Sequence, residues 1–111
     1  MTVSLEDRLE HILEAIAHLK SAVAGITFEQ FEQDRTLRWA VERGLEIISE
    51  ASRSIPENLK SRYSDLPWRR IADLGNRLRH AYNQVDGLIV WKIVTEDLDE
   101  LQSVVTLMKT E

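Results

Sequence analysis

From Leu5 onward the apolar positions are Leu5, Leu9, Ile12, Ile16, Leu19 and Val23. The steps alternate between four and three, the period of one helical face. Glu6, Asp7, Glu10, Glu14 and Lys20 fill the other side. This predicts an amphipathic helix that stops at Gly25, a residue that enters the left-handed region without a side-chain penalty. Thr27 with Gln30 three residues later has the form of a capping box. Phe28, Phe31, Leu37, Val41, Leu45, Ile48 and Ala51 then mark a second long helix. Gly44 inside it costs about 1 kcal/mol against Ala, which points to close helix contact or a bend. Pro56 punctuates, and residues 52–66 read as a loop with one short helical turn.

Asp65 ahead of Leu66-Pro67 is a start signal: a capping acid, then Pro near the first helical position. Trp68, Ile71, Leu74, Leu78 and Tyr82 continue at helical spacing. Residues 85–94 (VDGLIVWKIV) are apolar enough for a buried strand, but a lone short strand has nothing to pair with. They read as a loop passing into a helix capped by Thr95, with Glu96 and Asp97 at the positive end of its dipole. Leu98, Leu101, Val105 and Met108 form the last stripe. Four amphipathic helices with short links imply an all-α fold, an up-and-down antiparallel four-helix bundle with a short extra helical turn.

Composition narrows this further. At 111 residues the chain has room for one core, so a single domain over 1–111 is expected. Four Gly and two Pro leave too few breakers for a many-stranded barrel, and zero Cys excludes disulfides, thiol nucleophiles and Cys-ligated zinc. No apolar run approaches the roughly 20 residues that span a bilayer. The first residues carry acids where a secretory signal carries bases, so a cytoplasmic protein is expected. The net charge of −5 disfavours general polyanion binding. The charge is uneven, however. Residues 57–82 hold six Lys and Arg against three acids, leaving −8 on the remainder. That makes a local anion site on an acidic body.

The densest polar cluster is Asn76-Arg77-Leu78-Arg79-His80 in the third helix. Asn76 and His80 are four apart and Arg77 and His80 three apart, so their side chains can converge. A His beside guanidinium groups is the minimum kit for metal-free RNA cleavage. The imidazole moves a proton near neutral pH, and arginine holds the phosphate and the charge that develops on it. A solvated helix end is the plainer reading. His11, Glu14 and His18 share a face at metal-ligand spacing but lack a fourth ligand, and read as a solvent-facing stripe. Trp39, Trp68 and Trp91 read as core or interface anchors. Glu42, Glu46 and Glu50 lie at i, i+4 and i+8, where an Arg from elsewhere is expected to meet them; Glu50 is expected to be partly buried. No Gly-rich phosphate loop, nucleophile triad or paired catalytic carboxylates stand out, so no cofactor and no metal are expected.

Longer stretches carry a family likeness. Residues 45–51 (LEIISEA), 66–71 (LPWRRI) and 76–82 (NRLRHAY), with Val85-Asp86 and Ile89-Val90-Trp91, resemble the HepT-like ribonuclease toxins of the HEPN superfamily. The resemblance implies a homodimer that brings two copies of the motif into one cleft, and RNA cleavage without metal. It implies His80, Arg77, Arg79 and Asn76 as catalytic residues and Arg69 and Arg70 as substrate-binding ones. It further implies a type VII toxin–antitoxin pair, in which a nucleotidyltransferase antitoxin silences the toxin by moving AMP onto the motif tyrosine, here Tyr82. Such an adenylate puts bulk and negative charge where an RNA phosphate must sit.

One position departs from the pattern. The family's Arg, directly before the Asn and five residues before the His, is Gly75 here. The expectation is that Arg77 or Arg79 fills its place, Arg79 by lying over the patch Gly75 leaves bare, Arg77 by its reach to His80. Leu88, Ile89, Val90 and Trp91 exceed what a small bundle buries alone and are expected to line the dimer contact. Two other readings stand beside the toxin: an inactive relative that binds a partner or RNA, and a structural helical interaction module.

Overall fold

The computed structural model describes residues 4–111, with every side chain in that range except that of Tyr82. Among the described residues there is no strand. Helix α1 (Leu5–Val23) begins where Ser4 accepts a bond from the Asp7 backbone N–H at 3.0 Å. It buries Leu9, Ile12, Ile16, Leu19 and Val23 of the face its period predicts, while Leu5, in the first turn, is exposed. Gly25 follows with φ +76°, the left-handed stop expected of it.

Helix α2 (Phe28–Gln33) opens with the expected capping box. Thr27 Oγ1 accepts from the Gln30 N–H at 3.1 Å, and Gln30 Oε1 from the Thr27 N–H at 2.9 Å. The single long helix expected from here breaks at Asp34, which closes α2 and caps α3 (Arg35–Arg53) by accepting from the Leu37 N–H at 3.0 Å. The reason lies in the apolar spacing. Phe31 to Leu37 is a step of six, which at 100° per residue turns one stripe away from the other. The break lets Phe31 bury completely under Trp91, ring centres 5.3 Å apart, while α3 keeps Val41, Leu45 and Ile48 inside.

Helix α3 packs against α1 on one side and α5 (Trp68–His80) on the other, while α7 (Leu98–Met108) packs on α1. Gly44 is the close contact between α1 and α3: a β-carbon there would fall 2.9 Å from Leu19 Cγ. Between α3 and α5 run α4 (Glu57–Lys60) and a 3₁₀ turn, Ser61–Tyr63. Asp65 does not cap α5; Pro67 holds the cap position without a side-chain bond. The start is fixed instead by the Trp68 indole, which donates to the Tyr63 carbonyl at 3.1 Å, and by the Lys60 ammonium, 5.9 Å from that ring centre.

After a 3₁₀ turn at Tyr82–Gln84, α6 (Gly87–Lys92) is capped by Asp86, whose carboxylate accepts from the Leu88 N–H at 2.8 Å. Thr95 is not a cap. It sits in a wide π-helical turn (Ile93–Asp97) joining α6 to α7, and its hydroxyl donates to the Trp91 carbonyl at 2.7 Å. The spacing explains the widening. Val90, Val94 and Leu98 are two successive steps of four, and a turn with i→i+5 bonds keeps all three buried.

Candidate functional site

Helix α5 has two faces. Ile71, Leu74, Gly75 and Leu78 turn inward, Gly75 and Leu78 fully so. Arg69, Arg70, Asn76, Arg77, Arg79 and His80 are exposed. At 100° per residue, Arg69, Asn76 and His80 fall within one narrow sector. Arg77 lies about 60° to one side of His80 and Arg79 about 100° to the other. His80 and Asn76 therefore lie side by side, flanked by Arg77 on one side and Arg79 on the other, with Arg69 below them and Arg70 on Arg77's side. Among the described residues, none of these four arginines forms an ion pair with a carboxylate. Three basic side chains in the last turn also oppose the negative end of the helix dipole.

Arg79 donates to Asn76 Oδ1 at 3.2 Å and lines a separate hollow against α1 and α3. The bare patch expected at Gly75 does not exist. Its N–H donates to Ser49 Oγ at 3.1 Å, and a β-carbon there would fall 2.7 Å from Ser49 Cβ. Ser49 Oγ in turn donates to the Ala72 carbonyl at 2.8 Å. Glycine at this position lets α3 and α5 touch through a buried serine, so the slot is filled by packing and not left open.

The segment after the motif is tied down from α3. Arg38 Nε donates to Glu42 Oε2 at 2.6 Å and its Nη2 to the Val85 carbonyl at 2.6 Å. Glu42 is 7% exposed, so the buried acid of the series is Glu42, and Glu50 is exposed. Its partner arginine sits one turn earlier on the same helix, a pairing legible in the i, i+4 spacing. A hollow of about 360 Å³ lined by Trp39, Glu42, Glu46 and Leu78 lies beside it. Trp39 is 60% exposed, not core. Of the expected apolar surplus, Val90 is buried and Trp91 packs on Phe28 and Phe31, which leaves Leu88 (56%) and Ile89 (50%) facing out.

The backbone of Tyr82 starts the turn that follows α5; its side chain, the expected AMP acceptor, lies outside what the structure describes. His11, Glu14 and His18 are exposed on α1, as the stripe reading expects. Among the described residues no three His, Asp or Glu side chains gather where they could share a metal ion, and no helix is long and apolar enough to cross a membrane.

Comparison with known proteins agrees on one family. The family described as Ribonuclease HepT-like matches residues 12–108. A Thermococcus cleftensis protein named "Probable ribonuclease HepT" is 42% identical over 102 residues, 92% of this chain and 93% of its own. A "Putative RNase" of Caldanaerobacter subterraneus subsp. tengcongensis is 38% identical over 85% of this chain and 84% of its own. One of Methanocaldococcus jannaschii is 34% identical over 90% and 92%. No solved structure gives a significant match.

Proposed function

Because the chain belongs to the HepT-like ribonuclease family, we propose that it is a metal-independent endoribonuclease, the toxin of a toxin–antitoxin pair. The single observation that carries this reading is the exposed end of α5. There exposed His80 and Asn76 share one sector of the helix with Arg77 about 60° to the side of His80, and no carboxylate among the described residues pairs with that arginine. The His80 imidazole takes the proton of the attacking hydroxyl. Arg77 holds the phosphate and the charge that builds on its oxygens, and Asn76 orients it. Arg69 and Arg70 guide the strand along the helix.

One motif His per chain serves one proton transfer at a time. Cleavage needs a proton removed from the nucleophile and another given to the leaving oxygen, so a homodimer that faces two α5 ends supplies both. Exposed Leu88 and Ile89 are the apolar surface that such a contact covers. The four long helical stretches, α1, α3, α5 and α6–α7, form the up-and-down bundle that presents this end, one domain over 1–111. The silencing partner is a nucleotidyltransferase that moves AMP onto Tyr82, and the setting is the cytoplasm.

The test is RNA cleavage by the purified chain in the presence of a chelator. His80→Ala should abolish it, while the unfolding midpoint shifts by less than about 0.5 kcal/mol, as for other surface positions. Full cleavage by His80→Ala would sink the assignment. A second reading is favoured by Gly75: a relative that binds RNA without cutting it. It wins if the parent chain binds RNA and leaves it intact.

A further inference from the structure

On the flank of α5 away from Arg77 lies the second hollow, about 280 Å³, between α1, α3 and α5. Arg8 and His11 come from α1, Arg43, Glu46 and Glu50 from α3, and Arg79 from α5. Ile47 adds an exposed apolar surface among them, over the buried Ala51. Charge here is close to balanced, but not balanced. Arg43 Nη1 lies 3.3 Å from Glu46 Oε2, which uses one of each sign. Glu50 then stands against two guanidiniums, Arg8 and Arg79, neither of them ion-paired among the described residues. One positive charge is left over, the complement of one phosphodiester.

The geometry points to this hollow as a subsite for one phosphodiester of a single-stranded RNA, next along the strand from the one at His80, with Arg8 and Arg79 as its ligands. The inference rests on the ribonuclease reading above. Arg79 is adjacent to His80 in sequence but turned about 100° round the helix. Asn76 stands between them: it shares a sector with His80, and its Oδ1 accepts from Arg79 at 3.2 Å. The two surfaces are therefore continuous. A strand carries one charge per nucleotide, so a phosphate seated at His80 brings a second one within reach of this flank. Guanidinium forks suit a phosphate's paired oxygens, which a single ammonium does not match. The exposed Ile47 side chain takes the face of a base, and the Glu50 carboxylate accepts from a ribose hydroxyl, the group that separates RNA from DNA.

The experiment measures binding of a labelled single-stranded RNA by fluorescence anisotropy across a salt series. The full chain is used with His80→Ala, so that the strand stays intact. Arg8→Gln and Arg79→Gln should each weaken binding about fivefold near 0.1 M salt. Each should lower the slope of log affinity against log salt by about 0.7, one phosphate's share for a single strand. Because both hold the same phosphate, the double variant should lose no more slope than either single one. Arg8→Lys keeps the charge and should keep the slope, which separates the effect from lost packing. Unchanged affinity and slope in Arg8→Gln would overturn the subsite, and so would a double variant that loses twice the slope. If Arg8→Gln is silent while the parent still cleaves RNA through His80, the subsite fails and the ribonuclease reading stands. If the parent neither binds nor cleaves RNA, both fall.

Discussion

A single methyl group added at Gly75 should destabilise the protein, although helix propensity alone predicts the reverse. Gly→Ala inside a helix gains about 1 kcal/mol. Here the new carbon would meet Ser49 Oγ at 2.5 Å and Ser49 Cβ at 2.7 Å. Carbon atoms rest roughly 3.5–4.0 Å apart, so the overlap is near 1 Å. Ser49 is buried and cannot swing clear without breaking its bonds to the Ala72 carbonyl and the Gly75 N–H. Overpacking of this kind costs about 1–3 kcal/mol, and each lost hydrogen bond about 1 kcal/mol. With both bonds lost, the balance after the propensity gain is a loss of about 2–4 kcal/mol.

Urea unfolding of Gly75→Ala reads this directly. In a domain near 100 residues each kcal/mol lowers the melting temperature by roughly 4–8 °C. Ser49→Gly placed in the Gly75→Ala background should recover stability, with a coupling of about 1 kcal/mol or more, because the two side chains share one space. Ser49→Ala should not, since its Cβ remains. A Gly75→Ala variant that gains about 1 kcal/mol would refute the close contact. The same reasoning applies to Gly75→Arg. An arginine there must part α3 from α5 before it reaches any phosphate, so that variant reports on packing and not on a restored motif.

Other expectations follow from contacts near the site. Arg38→Ala leaves the buried Glu42 carboxylate without its cation and the Val85 carbonyl without a donor, and should cost about 2–4 kcal/mol in urea unfolding, more than Glu42→Gln. Leu88→Asp with Ile89→Asp should shift light scattering from dimer to monomer at micromolar concentration and abolish RNA cleavage with it; a dimer unaffected by both would move the contact elsewhere. The last turn of the chain is clasped by Arg62 and Tyr63, which both bond Glu111. The Tyr63 hydroxyl donates to Glu111 and holds that carboxyl below its usual range, with Arg62 adding to the effect; the same bond holds the Tyr63 phenol above its own. The carboxyl's contribution is full above its unfolded range and lost as pH falls through the lowered folded value. The phenol's is full below its unfolded range and lost as pH rises through the raised one. Tyr63→Phe should therefore lower the melting temperature at neutral pH and flatten its fall at both extremes.

Much of the fold was legible because burial follows period. The stripes of α1, α3, α5 and α7 could be read from steps of three and four, and the Thr27 capping box from two residues. The misreadings have local causes. The break at Asp34 was signalled by the six-residue step from Phe31, which a list of apolar positions hides unless the phase is followed. Thr95 resembled a cap because a hydroxyl before two acids is the usual signature, yet Thr hydroxyls also bond the carbonyl four residues back in a running helix. Glu50 reads as the buried acid because it ends the apolar stretch, whereas the i, i+4 spacing of Arg38 to Glu42 is the signal that marks the acid with a compensating charge. At the site, sequence spacing brings Asn76, Arg77 and His80 to neighbouring positions, and the family resemblance adds Arg79 to them. The helical period already turns Arg79 about 100° from His80, and the packing of α5 beside α1 and α3 shows the hollow that it lines there.

That division bears on how an acidic chain engages RNA at all. With a net charge of −5, the body repels a polyanion at long range. Arginines without a carboxylate partner gather along α5, where they flank His80, and on the flank where Arg8 joins Arg79. Repulsion elsewhere is useful to an enzyme with one small site: it penalises every approach except the one that lays the strand along α5. The cost is a dependence on few contacts. Affinity built on two or three phosphates falls only gently with salt, whereas broad nonspecific coats lose theirs steeply. A shallow salt slope with full cleavage would thus be the signature of a strand held at its cutting point, and a steep one would mean that a surface beyond α5 and the Arg8–Arg79 flank binds it.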